Sequence, residues 1–166
     1  MNFIEEITLS PSDLNNDLRT VLARKLIKKK QATCSKKYGY IIRIMNIDKN
    51  IPNGYIMNTS GDITFKVKFT AVVMKPFNGE ICEGIVDQCS EYSVNINVGP
   101  LKFMISREHL PIEYKFYENT KEYRSQNAVI KEGGGIRFRI YSLYFEEKEK
   151  KLLGLGTIKD NYLGPI

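Results

Sequence analysis

The strongest constraint on the fold is a stretch at residues 63–74 in which apolar and polar side chains alternate. Phe65 and Val67, for example, flank Lys66. A period of two places alternate side chains on opposite faces of a β-strand, so the stretch predicts a long strand with one buried and one wet face. Its end, residues 71–74, is apolar on both faces, and we expect another element to cover it there.

The residues before this strand predict a small α+β unit in the order β-α-β-β-β. Ser10, Pro11 and Asp13 have the cap, the first-turn proline and the acidic third position that are typical of a helix N-terminus. Leucines and a valine follow at helical spacing, which predicts a helix of about four turns that starts at this cap. The strands are predicted at residues 3–9, 38–47, 55–57 and 63–74, and a hairpin turn is predicted at residues 58–62.

A break at residues 75–79, Lys-Pro-Phe-Asn-Gly, separates this unit from an all-β second half. We place the domains at residues 1–77 and 78–166. The second half contains five stretches with strand character, and a long polar and aromatic loop is predicted at residues 111–127, between the third and the fourth. This pattern is typical of a five-stranded Greek-key barrel, the OB fold. The predicted fold class is therefore α+β, with an OB barrel as the second domain.

The excess of basic charge lies in the first half of the chain. Residues 1–75 carry 13 basic and 6 acidic residues, whereas residues 76–166 carry 12 and 13, which together give the net charge of +6. Between Leu18 and Ile47 there are nine bases and no acid. A segment with charge of one sign favours a polyanion or an acidic protein surface as its partner. The alternative is a solvated helix flank that only aids solubility.

The sequence carries no motif of an enzyme or of a metal site. Cys34, Cys82 and Cys89 form no CxxC pair, and His109 is the single histidine. The glycines at 133–135 lack the lysine of a phosphate-binding loop and precede a strand, so they predict a turn. No apolar run approaches the ~20 residues of a membrane span, and the acidic N-terminus is unlike a secretion signal. We expect a soluble intracellular protein that is not an enzyme, binds no cofactor or metal and enters no membrane.

Alternation in the barrel predicts which side chains face outward on the surface that OB folds use for single strands. Leu101 and Phe103 fill the interior, so Lys102 and Met104 face out. Aromatic side chains stack on bases and basic ones hold phosphates, which predicts weak, salt-sensitive contact with single-stranded RNA. The alternative is a face that binds protein or only water. The candidate RNA-binding residues are Tyr92, Asn95, Lys102, Met104, Arg107, Arg137, Arg139 and Tyr141.

Five stretches, in order over nearly the whole chain, resemble a known family. They are residues 34–41, 65–73, 75–80, 98–100 (Val-Gly-Pro) and 156–166, which contains Tyr-Leu-Gly. With them the chain resembles the stalk subunits of RNA polymerase, a family that includes the seventh subunit of eukaryotic RNA polymerase II and its archaeal counterpart. The Val-Gly-Pro and Tyr-Leu-Gly elements are more similar to the polymerase II member than to its polymerase I and III relatives.

The resemblance implies a fold and a non-catalytic role. The family has a truncated RNP-like tip domain followed by an OB domain. The resemblance implies a heterodimer with the fourth subunit. This heterodimer docks near the clamp of the polymerase core, which includes the largest and sixth subunits, and it supports transcription initiation in the nucleus. The OB domain is offered to emerging single-stranded RNA. The implied core-docking residues are Asn58, Thr59, Ser60, Gly61 and Asp62, and the implied partner-facing residues are Val73, Lys75, Pro76, Phe77, Tyr162 and Leu163.

The resemblance implies only weak RNA contact. RNA-binding OB repeats carry a second aromatic residue and a histidine where this chain has Asn95 and Met104. It also assigns no role to the basic run at residues 24–37. Two other classes stay open: a free OB-fold RNA-binding factor in translation or RNA processing, and an enzyme with an unrecognised site. An apolar stretch such as residues 71–74 favours a permanent partner, whereas a free factor would be a well-behaved monomer that binds RNA tightly.

Overall fold

A computed structural model describes residues 1–15, 17–56 and 59–166. The chain divides into two compact units, Met1–Lys75 and Pro76–Ile166. The first contains an α-helix packed on a β-sheet, and the described secondary structure of the second is strands and one short 3-10 helix. Within the described residues, no helix combines the length and the apolar character needed to cross a bilayer.

The first unit is built around one antiparallel sheet. The sheet has the order β1-β5-β3-β2, with β4 paired to β5, so the long alternating strand predicted from the sequence is central. This position explains the alternation, because a central strand contributes side chains to both faces of the sheet. The elements are β1 (Asn2–Leu9), α1 (Leu18–Lys30), β2 (Thr33–Ser35), β3 (Gly39–Ile47), β4 (Tyr55–Ile56) and β5 (Ile63–Met74).

The predicted start of the helix at Ser10 is wrong. A 3-10 helix covers Pro11–Asn15, and α1 begins only at Leu18, after Asp17. One bond of the capping pattern does form, since the Ser10 N–H donates to Asp13 Oδ2 at 3.2 Å. The Ser10 hydroxyl donates to the same oxygen at 2.9 Å, and the Asp13 N–H donates to the Ser10 carbonyl at 3.0 Å. They close a single short turn instead of opening the long helix. The same Asp13 carboxylate also binds the Lys25 ammonium at 2.6 Å, which ties this turn to the side of α1.

The helix covers one face of the sheet and leaves the other face bare. Leu22 and Leu26 are fully buried against side chains of β1, β3 and β5. Because successive side chains of a strand point to opposite faces, the residues that alternate with these core positions point away from the helix. Several of these outward-facing residues are large and apolar but exposed. The prediction that another element covers residues 71–74 on both faces therefore holds only in part, since Ala71 is buried and Val72 is exposed.

The second unit is a closed barrel, which confirms the predicted OB architecture. Its strands follow the order β13-β8-β7-β6-β12, and pairing of β12 with β13 closes the ring. All barrel pairs are antiparallel except β8 with β13, which are parallel. Short β14 extends the sheet beside β12. The strands are β6 (Ile81–Cys89), β7 (Ser93–Val98), β8 (Leu101–Ser106), β9 (Lys115–Tyr117), β10 (Glu122–Arg124), β11 (Val129–Ile130), β12 (Gly135–Glu146), β13 (Lys151–Thr157) and β14 (Gly164–Pro165).

Two phenylalanines fill the barrel, and two glycines make room for them. Phe103 and Phe138 are buried with their ring centroids 5.2 Å apart. On β13, a Cβ at Gly156 would lie 2.6 Å from the Phe138 ring, and a Cβ at Gly154 would overlap the Phe103 ring. Glycine at these two positions therefore lets the closing strand approach the aromatic core.

The predicted loop at residues 111–127 is not irregular, which corrects the expectation from sequence. β9, β10 and β11 form a small antiparallel sheet in the order β11-β10-β9. Its anchor is the fully buried Tyr123, whose hydroxyl lies 2.7 Å from the Ser90 carbonyl and 2.8 Å from the Glu91 carbonyl. Strands of two or three residues are too short to show an alternating pattern, which is why the sequence showed no period there.

Cys89 should be the least reactive thiol of the second unit. It is buried at the end of β6, and this burial, together with the nearby Glu132 and Glu122, raises the pKa of its thiol to about 11. Because the thiolate is the nucleophile, we expect iodoacetamide at mildly alkaline pH to modify the half-buried Cys82 well before Cys89. Mass spectrometry of the native chain measures the order. Equal labelling of the two thiols in the folded protein would contradict this placement of Cys89.

Candidate nucleic-acid interface

The outer surface of the barrel carries two parallel rows of side chains across four strands. In the first row, Asn95 on β7 lies beside Met104 on β8, which lies beside Leu155 on β13. In the second row, Asn97 pairs with Lys102, Lys102 with Leu153, and Leu153 with Tyr144 on β12. The strand register thus places three of the predicted RNA-binding residues, Asn95, Lys102 and Met104, on one continuous face.

These rows form the floor of a groove of about 450 Å³. The side chains offer different kinds of contact: the Tyr144 ring is exposed and can stack on a base, the two asparagines can bind base edges, and Lys102 can hold a phosphate. Asp87 also lines the groove and would repel a phosphate at its own position. The mixture suits weak contact with a single strand. Tyr144, Leu153 and Leu155 were missed because the outward rows predicted from the sequence include only the second and third barrel strands and the start of the fourth.

Tyr92 and Arg107 lie in a different cleft, of about 730 Å³. Tyr92 is 76% exposed, and its carbonyl accepts a hydrogen bond from the Arg107 N–H at 2.9 Å. The Arg107 guanidinium lies 5.4 Å from the centroid of the Tyr123 ring, which orients it. The small sheet adds Lys115 and Lys121 to the same cleft. These two lysines were not predicted, because residues 111–127 show no strand period that would place their side chains.

The three predicted RNA-binding residues of β12 are exposed or half-buried, but the two arginines among them are paired with carboxylates. Arg137 donates two hydrogen bonds to Glu83 Oε1, at 2.6 and 2.8 Å. Arg139 Nε lies 3.2 Å from Asp160 Oδ2, and the Tyr141 ring lies 4.6 Å from the ring of His109. Exposed pairs of this kind are worth little, and a phosphate can displace them. These arginines are nevertheless less available to a nucleic acid than Lys102 is.

The predicted docking turn lies at the end of the first unit's sheet. Asn58 falls outside the described residues. Thr59 and Ser60 are exposed in a turn, the Ser60 hydroxyl donates to Asp62 Oδ2 at 3.2 Å, and Gly61 has a φ of 78°, in the region that favours glycine. This turn precedes β5, so it is held by the strand that organises the sheet.

The predicted partner-facing residues differ in exposure. Val73 is partly buried and packs against the core of the first unit, and the Lys75 ammonium donates to the Lys37 carbonyl at 2.9 Å. In the second unit Pro76 is buried, whereas Phe77 and Tyr162 are exposed. The remaining residue of this set, half-buried, is Leu163.

A second candidate interface is the sheet face of the first unit that α1 does not cover. Val72 pairs with Arg43 between β5 and β3, and the neighbouring Ile42 and Met45 sit at irregularities of the strand register. All three apolar side chains are exposed, Met45 by 61%. Together they make an apolar area on an otherwise polar sheet face. Apolar patches of this kind mark protein interfaces more often than free surface.

A small α+β unit followed by an OB barrel with an exposed polar and aromatic groove is an architecture suited to binding other macromolecules. Comparison with known proteins makes the class specific. Residues 5–61 match the family described as "SHS2 domain found in N terminus of Rpb7p/Rpc25p/MJ0397". Over 163 residues the chain is 34% identical to DNA-directed RNA polymerase II subunit RPB7 of Saccharomyces cerevisiae, covering 96% of this chain and 94% of that protein.

Further relatives agree. The chain is 31% identical to RNA polymerase II subunit rpb7 of Schizosaccharomyces pombe, covering 96% of this chain and 94% of that protein. It is 30% identical to subunit RPB7 of Glycine max, covering 95% of this chain and 90% of that protein. Among solved structures, a putative exosome complex RNA-binding protein aligns with a TM-score of 0.40 and 17% identity over 57% of this chain and 50% of that chain, a likeness too slight to carry an argument.

The chain belongs to the RPB7 family of RNA polymerase II subunits. This confirms the resemblance drawn from residues 34–41, 65–73, 75–80, 98–100 and 156–166. Members of this family are non-catalytic subunits, so the expectation that the chain is not itself an enzyme is confirmed by its relatives.

Proposed function

We propose that the chain is the non-catalytic stalk subunit of a nuclear RNA polymerase II, with two domains at residues 1–77 and 78–166. In this proposal it forms a heterodimer with the fourth subunit and docks on the core near the clamp, where the largest and sixth subunits lie. It supports transcription initiation, and its barrel contacts emerging single-stranded RNA weakly. The observation that carries the proposal is the likeness to RPB7 proteins across 96% of the chain, both units included.

The bare sheet face of the first unit supports the protein contacts. Ile42, Met45 and Val72 are apolar and exposed in the isolated chain, which is unfavourable unless another protein covers them. The turn at residues 59–62 and the partner-facing set Val73, Lys75, Pro76, Phe77, Tyr162 and Leu163 are proposed to extend the protein contacts. Asn58, which lies outside the described residues, belongs to the proposed docking set.

The two grooves of the barrel support the RNA contact. One offers Asn95, Lys102 and Met104 together with Tyr144, and the other offers Tyr92 and Arg107. Neither is strongly basic, because Asp87 lines the first and Glu91 and Glu118 line the second. We therefore propose an RNA site of low affinity and little sequence preference. The set also includes Arg137, Arg139 and Tyr141 at its edge.

A groove variant tests the RNA contact. Lys102→Glu combined with Tyr144→Ala removes one phosphate contact and one stacking platform, and we expect the affinity for a short single-stranded RNA to fall about tenfold or more. The slope of log affinity against log salt should also fall by about one. Filter binding or fluorescence anisotropy of the 166-residue chain measures both quantities.

The matched control is Lys148→Glu with Tyr162→Ala. It makes the same two chemical changes at exposed positions that line neither groove. It should leave RNA affinity within about threefold of the unmodified chain, since only long-range charge changes. If the control loses as much affinity as the groove variant, the barrel groove is not the RNA site.

A further inference from the structure

The helix α1 is basic along its whole length, and helix stability does not explain this. It carries six basic residues and no acidic one, and the first of them, Arg19, lies in the first turn. The helix dipole favours acidic side chains there and basic ones only in the last turn. Arg24 with Lys28, and Lys25 with Lys29, are also like-charged neighbours one turn apart, which is mildly destabilising. Selection for a stable helix would not place the charges in this way.

Carboxylates of the first unit neutralise only part of this charge. Lys25 pairs with Asp13 at 2.6 Å, and Lys29 and Lys30 share Glu5, each at 3.1 Å. The other three bases of the helix are exposed, and within the described residues none of them pairs with a carboxylate. They are Arg19, Arg24 and Lys28.

A shallow groove of about 320 Å³ lies between α1 and β1. Lys25, Lys28 and Lys29 line it together with Ile7 and Thr8, so among the described residues that line it three are lysines and none is acidic. The ammonium groups of Lys25 and Lys29 are paired with Asp13 and Glu5, so the Lys28 ammonium is the one at this groove that pairs with no carboxylate of the described residues and is open to a phosphate. The exposed Arg24 lies one helical turn before Lys28 on α1.

We propose that the basic surface of α1 formed by Arg24, Lys25, Lys28 and Lys29 binds the sugar–phosphate backbone of duplex DNA. A duplex carries about one charge per 1.7 Å of its axis, and that dense charge suits a helix surface that offers several bases within two turns. Single-strand sites add aromatic platforms for the bases, and α1 contains no aromatic residue. An acidic peptide would need several apolar anchors on its binding surface. Of its large apolar side chains α1 exposes Ile27, and one such side chain favours DNA over a peptide as the partner.

The packing of α1 on one face of the sheet allows DNA binding and protein docking at the same time. Leu22 and Leu26 bind the helix to one face of the sheet, while Met45 and Val72 are exposed on the other. A protein that covers the bare face leaves the basic face of α1 open. The surface belongs to the first unit, whereas the proposed RNA grooves lie in the second, so each can be tested without disturbing the other.

Charge reversal at two exposed bases tests the proposal. With the 166-residue chain and a short DNA duplex, we expect Arg24→Glu with Lys28→Glu to lower affinity about tenfold or more and the salt slope by about two. The matched control, Lys66→Glu with Lys68→Glu, removes the same charge from exposed positions on the opposite sheet face and should change affinity by less than about threefold. The neutral variant Arg24→Gln with Lys28→Gln should also lose affinity for the duplex, but less than the charge reversal does. It keeps the test valid if the charge-reversed chain fails to fold.

Three outcomes would overturn the proposal. Equal losses in the reversal and in its control would mean that only net charge matters. Tighter binding of single-stranded RNA than of the duplex, with the same sensitivity to Arg24 and Lys28, would assign the surface to RNA. Stronger binding of polyglutamate than of DNA, lost in the same variant, would make the partner an acidic protein segment.

Discussion

Replacing Phe138 by alanine is expected to lower the free energy of unfolding of the second unit by about 3–5 kcal/mol. Phe138 is fully buried at the centre of the barrel, where it packs on Phe103 and on the space left by Gly156. Removal of the ring leaves a cavity that the closed barrel cannot collapse to fill, because the pairing of its five strands is fixed by backbone hydrogen bonds. The loss is large compared with the total stability of a domain of this size.

Urea denaturation followed by far-ultraviolet circular dichroism measures this effect. Tyr141→Ala is the matched control, since it removes an aromatic ring from the same strand at an exposed position. We expect the control to change the free energy of unfolding by less than about 1 kcal/mol. Similar losses for the two variants would mean that Phe138 is not the centre of the barrel core.

Charges on the bare sheet face should detach the chain from its protein partners. Met45→Glu with Val72→Glu places two carboxylates on the surface that we propose is covered in the complex. Burying an unpaired carboxylate is strongly unfavourable, so we expect recovery of polymerase subunits with the tagged chain to fall by about tenfold or more. Quantitative mass spectrometry of the purified material measures the ratio.

The control for this experiment is the pair Arg24→Gln and Lys28→Gln. These side chains lie on the helix, on the opposite side of the sheet, and their loss should leave recovery of polymerase subunits unchanged. Circular dichroism of both purified variants checks that the first unit is folded. Full recovery with the Met45 and Val72 variant would show that the bare face is not an interface.

Parts of the fold that depend on strand period were predictable from the sequence. The alternation of residues 63–74 identified the central strand β5, and the alternation around Phe103 identified which side chains fill the barrel. The start of α1 was not predictable, because Ser10 and Asp13 carry a true capping pattern that closes a 3-10 turn instead. The small sheet of β9, β10 and β11 was missed because its strands, of two or three residues, are too short to show an alternating pattern.

The candidate site shows the same division. Asn95, Lys102 and Met104 follow from the period of β7 and β8, and the register of the strands places them on one groove. The pairing of Arg137 with Glu83 could not be foreseen, since 54 residues separate them and only the pairing of β12 with β6 makes them neighbours. A local pattern identifies which way a side chain faces, and only the fold identifies what lies beside it.

The most direct test of the polymerase assignment is purification of the tagged chain at its native expression level. We expect RNA polymerase II subunits to co-elute with it in stoichiometric amounts, the fourth subunit among them, and to stay bound in moderate salt. Elution as a free monomer, or with translation or RNA-processing factors and without polymerase subunits, would contradict the assignment.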